Sequence, residues 1–259
     1  MTQEHEVAIV TGAKEGGIGF ATAKKLAQRF GDGGIVHLTA RDGRDAIAGR
    51  DTLRREGLSV ISHKLDVTRQ VDVDRIMEKI SRDGSPTILV DAAVIFDSED
   101  RGEKITRVSM DSVRKTFEVN TLGVLRMIQA VIPGMVAAGY GRIVEVVGSW
   151  GKNTRALEEL HGRGGAYGMS KAADIYLVAS VASQMEKQGY NDVRINGVDP
   201  GKVRTNMNPG GTLLPDEAAV YVEALTRPEV STSGVLYVGS QVGDYGTYVR
   251  NDGALAHPR

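Results

Sequence analysis

The chain has 259 residues, 41% of them hydrophobic and 25% charged, with a formal net charge of −1 and no cysteine. That length buries enough surface to fold without staples, and the missing thiols exclude a disulfide framework, a cysteine nucleophile and cysteine-ligated zinc. The balanced charge argues against nucleic acid as a partner, and no apolar run approaches the ~20 residues of a spanning helix, so no membrane is expected.

MTQEHEVAIVTG enters an apolar run almost at once, which leaves no room for a signal peptide and points to the cytoplasm. Strand candidates then recur along the chain: 7–11, 35–39, 58–65, 87–90, 142–147, 193–198 and 234–238. Several are apolar without alternation, as expected when helices cover both faces of a sheet. Helical periodicity fills the intervals over Ile18–Phe30, Arg44–Glu56, Val71–Arg82, Met110–Ala138, Ala166–Lys187 and Pro215–Thr226. In Met110–Ala138, Val113, Phe117, Leu122, Leu125, Ile128 and Ile132 form one apolar stripe. Strands alternating with helices predict an α/β fold: a Rossmann-like, doubly wound parallel sheet of about seven strands, helices on both faces, in one domain spanning 1–259.

The first strand runs into TGAKEGGIG (11–19), and a helix starts at Ile18. Gly12, Gly17 and Gly19 let the backbone turn tightly and approach a pyrophosphate, whose charge sits at the helix N-terminus. The second strand ends in Ala40-Arg41 where an NAD enzyme places a carboxylate for the ribose 2′-hydroxyl. A guanidinium clasps a 2′-phosphate, and Lys14 adds a second positive charge, so NADPH is favoured over NAD. The competing reading has Asp42 reaching back to the ribose with Arg41 a solvated charge. Asp66, in LDVT, lies either where ligands gather at a strand's carboxyl end or at the start of the next helix.

Tyr167 and Lys171 stand four residues apart in YGMSK, on one face of a helix. A phenol near its ordinary pKa of ~10 is a poor proton donor, and a nearby ammonium is expected to lower it. The histidines are scattered, so no metal site is read, and no nucleophile elbow suggests a hydrolase.

Taken in order, TG…GIG, LDVT, Asn120 in VNTLG, GRIVEVVGSWG, YGMSK and RINGVDPGKVRT resemble the short-chain dehydrogenase/reductase family over nearly the whole chain. TARD and REGLSVISHKLDVT look like its NADPH-dependent carbonyl-reductase branch. The resemblance implies a ketoreductase acting on a ketone or secondary alcohol, with Tyr167 as proton donor and Lys171 holding the nicotinamide ribose. It further implies a serine on the substrate oxygen and Asn120 kinking its helix and anchoring a water. Val67 beside Asp66, backbone contacts at Asp91 and Ala92, and Pro200, Gly201, Val203 and Thr205 near the carboxamide complete the implied cofactor set. Family members often form homodimers or homotetramers through two long helices, while the carbonyl-reductase branch includes monomers.

Three departures stand out. The third glycine slot of the turn holds Ile18, and a one-residue insertion restores GIG. The usual Asn-Asn-Ala-Gly after the fourth strand is Asp91-Ala92-Ala93-Val94, which removes side-chain ties between strands. The serine slot falls on Gly148, so Ser149 serves only if a bulge re-aims it; Trp150 and His161 lie in the lengthened segment that follows. These departures motivate an alternative, a catalytically silent NADP(H)-binding sensor or scaffold. A dehydratase or epimerase on the same fold is a weaker reading.

Overall fold

The structure, a computed structural model, describes residues 6–97, 105–148 and 165–238, and two short strands at 248–249 and 255–256. The strands are β1 Glu6–Val10, β2 Gly34–Ala40, β3 Val60–Lys64, β4 Ile88–Asp91, β5 Gly141–Val146, β6 Val193–Asp199, β7 Leu236–Val238, β8 Tyr248–Val249 and β9 Leu255–Ala256. They form one sheet in the order β3-β2-β1-β4-β5-β6-β7-β8-β9. The first seven strands in chain order are parallel, and β8 and β9 add antiparallel. The winding direction reverses between β1 and β4, which opens a crevice at their carboxyl ends.

Helices α1 Ile18–Phe30, α2 Gly43–Arg55, α3 Gln70–Ile80, α4 Met110–Phe117, α5 Val124–Ala138, α6 Gly165–Lys187 and α7 Pro215–Ala224 cover the sheet. Strand β1 shows why its sequence does not alternate. Val7 and Ile9 enter a core with α3, α5 and α6, whereas Ala8 and Val10 enter a second core with α1, α2 and α7. A strand buried on both faces has no polar side to display.

The expected elements are present, with ends shifted by one to two residues in most cases. One expectation is corrected in kind. Met110–Ala138 is not one regular helix, because Glu118–Gly123 forms a π-helical turn between α4 and α5. Tertiary contacts fix that turn. Asn120 is turned inward, and Gly123 packs so closely that a Cβ there would lie 2.6 Å from Val67 Cγ2. By length and composition this segment, with mean hydropathy 1.5, is long and apolar enough to cross a membrane. The sequence reading, which sought uninterrupted apolar runs, did not register it. In the fold Val124, Met127, Ile128, Val131 and Met135 are buried in the core.

Candidate active site

The glycine turn after β1 is built by close approach. Gly12 has φ +62°, and a Cβ on it would lie 2.4 Å from the Ala92 carbonyl oxygen at the end of β4. A Cβ on Gly19 would lie 2.8 Å from the carbonyl oxygens of Gly12 and Thr11. Gly16, at φ +76°, has nothing within 4 Å of its Cβ position, so the extra residue of the turn is accommodated there in open space. Helix α1 begins at Ile18 with no side-chain cap and no acidic residue in its first turn. Its leading N–H groups are therefore available to an anion. A dinucleotide pyrophosphate fits this cradle, which any side chain at Gly12 would distort.

From the turn a cleft of about 980 Å³ runs along the carboxyl ends of the strands. Of the sequence-predicted cofactor residues, Gly12, Lys14, Gly17, Ile18, Gly19, Arg41, Asp66, Val67, Ala92, Tyr167, Pro200, Gly201, Val203 and Thr205 line it, whereas Asp91 and Lys171 do not. At the β2 end Arg41 is exposed and makes no ion pair with the described residues. Asp42 is committed elsewhere. It caps α2 by accepting from the Arg44 N–H at 2.9 Å and pairs with the Arg44 guanidinium at 2.8 Å, which holds its carboxyl down at about 2. Lys14 pairs with Asp45 at 3.1 Å. Arg41 and Asp42 both line the cleft; Asp42 is engaged by Arg44, whereas Arg41 makes no ion pair among the described residues.

Asp66 both lines the cleft and shapes it, since its Oδ1 accepts from the Thr68 N–H at 3.0 Å and hydroxyl at 2.7 Å. The cap of α3 is Arg69, so Asp66 is not that helix's first residue. Asp91 lies beneath the cleft floor. Its Oδ1 accepts from the Thr11 hydroxyl, which in turn accepts from the N–H groups of Ala92 and Ala93 at 3.1 and 3.0 Å. This corrects the expectation that losing the asparagines unties the strands, because Asp91 and Thr11 join β4 to β1. Burial pushes the Asp91 carboxyl up to about 6.

Tyr167 stands at the start of α6 and faces the cleft, where its ring tilts against Phe96 with centroids 5.1 Å apart. A Cβ on Gly148, a residue with φ +81°, would lie 3.8 Å from the Tyr167 hydroxyl. The N–H groups of Val147 and Gly148 both reach the Val198 carbonyl, at 2.9 and 3.4 Å, so two residues oppose one as in a bulge. Ser149, Trp150 and His161 lie outside the described residues.

Lys171 is oriented inward and not toward the cleft. Its Nζ donates to Asp174 Oδ2 at 2.9 Å, the Val146 carbonyl at 3.1 Å and Glu145 Oε1 at 3.2 Å, with all three charged side chains almost wholly buried. Burial opposes the ammonium's charge, yet Glu145 and Asp174 outweigh it and keep Lys171 protonated. Burial pushes the Glu145 and Asp174 carboxyls up against the pull of Lys171. The Tyr167 phenol is raised, not lowered. Burial is the largest cause, and the carboxylates of Asp174, Glu145 and Asp199 oppose the help that Lys171 gives. The expected acidified phenol is therefore corrected chiefly by burial, to which the carboxylates around the lysine add.

Asn120 is buried on the π turn. Its amide donates at 3.0 Å to both the Ile95 carbonyl and Ser170 Oγ, and its carbonyl accepts from the Ile95 N–H at 2.8 Å. It pins the loop after β4, including Ile95, which lines the cleft. The sequence reading missed Phe96, Glu145 and Asp174. For Glu145 a signal existed, a lone carboxylate inside the apolar run RIVEVV.

The sequence profile of the short chain dehydrogenase family matches residues 6–212. The chain belongs to that family. It is an oxidoreductase acting on a CH–OH/C=O pair. Sorbitol dehydrogenase of Cereibacter sphaeroides is 31% identical over 205 residues, 78% of this chain and 72% of that protein. Carbonyl reductase (NADPH) 1 of Oryctolagus cuniculus is 29% identical over 88% of this chain and 94% of its own length. Among solved structures, an actinorhodin polyketide ketoreductase with NADPH superposes with a TM-score of 0.77, covering 92% of this chain and 96% of that one at 23% identity, a likeness of fold.

Proposed function

We propose that this family member is an NADPH-dependent ketoreductase, with Tyr167 as the general acid toward an apolar ketone. The observation that carries the reading is the placement of the Tyr167 ring in a cleft that also holds the glycine cradle and Arg41, which makes no ion pair among the described residues. When bound, the nicotinamide supplies the hydride. The turn at Gly12–Gly19 and the N-terminus of α1 would hold the pyrophosphate, Arg41 a 2′-phosphate, and the segment Pro200–Thr205 the opposite end. Phe96, Ile95, Val119 and Met207 give the remaining wall an apolar surface that keeps water from the carbonyl. Tyr167 donates its proton to the ketone oxygen. Burial keeps the phenol protonated at neutral pH, the form that reduction needs. The carbonyl-reductase relative is named for NADPH, which agrees with the Arg41 assignment.

The test is turnover of a ketone panel by the purified protein, followed by the absorbance of the reduced cofactor. Tyr167→Phe should lower kcat by about 10²-fold or more with NADPH affinity retained, since the phenol enters only the proton transfer. Arg41→Asp should shift the ratio of kcat/KM for NADPH over NADH by about 10²-fold, the worth of one charge-assisted clasp. Normal turnover by Tyr167→Phe would remove the assigned acid, and an unchanged cofactor ratio in Arg41→Asp would remove the assigned phosphate contact.

A further inference from the structure

We infer that the loop after β6 gives the cleft a cationic subsite at Lys202, and that the ketone taken there carries a carboxylate. The inference deepens the proposed function and rests on it. It begins from where charge lies along the cleft. Lys14, Glu15, Arg41, Asp42, Asp45 and Asp66 line the end formed by the glycine turn, α2 and the ends of β2 and β3. Among the described residues lining the remainder, from the ends of β4 and β5 to Tyr167 and the loop 200–210, Lys202 is the single charged side chain. It is exposed, and its ammonium makes no ion pair or hydrogen bond with the described residues. A lone cation in a concave, partly apolar cleft attracts anions more strongly than the same cation on an open face.

The backbone that carries this lysine is fixed. The Lys202 carbonyl accepts from the N–H groups of Thr212 and Leu213 at 2.8 and 3.1 Å, and the Arg204 N–H donates to the Leu213 carbonyl at 2.8 Å. Just before it, the Gly201 N–H donates to Asp199 Oδ1 at 3.0 Å, and Gly201 holds φ +85°, which L side chains rarely adopt. Only the lysine side chain is left to follow a ligand. Asn206, on the same loop, adds to the lining an amide whose N–H groups suit a carboxylate.

The phosphates of the cofactor do not account for this cation. The pyrophosphate cradle follows β1 and Arg41 follows β2, whereas Lys202 follows β6. In the sheet order β6 stands three places from β1 and four from β2. At a strand spacing of ~4.8 Å those offsets are about 14 and 19 Å, further than a lysine side chain spans. The anion left for Lys202 belongs to the substrate. Ile95, Val119 and Met207 take the apolar body of the ketone, and the ammonium takes the charge at its end.

The test uses matched pairs, levulinate and para-acetylbenzoate, each beside its methyl ester, reduced with NADPH by wild type, Lys202→Met and Lys202→Arg. In wild type the better acid should exceed its ester in kcat/KM, and raising salt from about 20 to 500 mM should erase much of that advantage. Lys202→Met should lower the acid-to-ester ratio about tenfold or more through the KM of the acid, the contribution of one charge-assisted hydrogen bond. Lys202→Arg, which keeps the charge, should keep most of the ratio. An equal loss on acid and ester, or a matching rise in the NADPH dissociation constant, would overturn the inference by assigning Lys202 to the cofactor or the frame. Calorimetric titration of para-acetylbenzoate into the NADP+-loaded proteins reads the subsite without turnover. Weaker binding by Lys202→Met in a protein inactive on the whole ketone panel would uphold the subsite and sink the ketoreductase reading. Turnover with an unmoved acid-to-ester ratio would sink the subsite alone.

Discussion

Replacing Lys171 with Met isolates the energetics of the buried charge cluster. The side chains of Lys171, Glu145 and Asp174 have fractional exposures of 1%, 2% and 0%, so water offers the carboxylates almost no alternative partner. Methionine keeps the volume and removes the charge and three donors. Stripping one partner from a buried pair costs about 3–5 kcal/mol, because the residual charge has lost its compensation. For a domain of this size that corresponds to a fall in Tm of about 10 °C. The carboxyls have one route of relief, which is to take up protons, and this makes the penalty depend on pH. Burial already raises both groups, and loss of the ammonium raises them further. A carboxyl whose folded pKa exceeds its unfolded value loses stability as pH rises from the unfolded value through the folded one. The penalty should therefore be small near pH 5 and largest near pH 8. Urea unfolding of wild type and Lys171→Met at both values measures it. Adding Glu145→Gln and Asp174→Asn to the same chain should recover part of the loss at pH 8. A penalty below about 1 kcal/mol at pH 8, or an equal one at both values, would refute the description of the cluster as desolvated and held by the ammonium.

Two further predictions concern the frame of the site. Gly12→Ala forces a Cβ into the Ala92 carbonyl and imposes φ +62° on an L side chain. It should cost about 2 kcal/mol or more and weaken binding of the nicotinamide dinucleotide, as read by thermal unfolding and cofactor titration; an unshifted Tm would mean that the turn relaxes freely. His37, fully buried on β2 with its Nδ1 2.9 Å from His63 Nε2, is held by burial at about 4, below its ordinary 6.5. A base depressed in the fold loses stability as pH falls from the unfolded value through the folded one. The gap at 1.36 kcal/mol per unit amounts to about 3 kcal/mol between pH 7 and 4. His37→Gln should flatten the acid limb of stability by that amount in urea titrations, and a parallel limb would assign acid sensitivity elsewhere.

The architecture was legible because its signals are local. Apolar runs of strand length, helical stripes and a glycine turn at the first crossover each report on a few neighbouring residues, and parallel topology follows from their alternation. The features that escaped are set at longer range or in very short segments. The π turn at Glu118–Gly123 is fixed by Ile95, Ser170 and Val67, which lie 25, 50 and 56 residues away from Asn120 or Gly123. No periodicity within Met110–Ala138 encodes those partners. Strands β8 and β9 have two residues each, too few to show a period.

The site divides along the same line. The spacing of Tyr167 and Lys171 correctly places them on one helix, but a shared helical face fixes where a side chain starts and not where a long one ends. The direction Lys171 takes is decided by a carboxylate one turn ahead on its own helix and another on β5, whose neighbour in register is a third on β4. Glu145 stands out locally as a lone carboxylate in an apolar run, but nothing local ties it to Asp174 or Asp91. Only the fold brings them together, and at the phenol burial, with Asp174 and Glu145 adding to it, outweighs the pull of Lys171. A pairwise motif therefore predicts which groups share a helix, while the sign of their effect depends on burial and on every other charge buried with them.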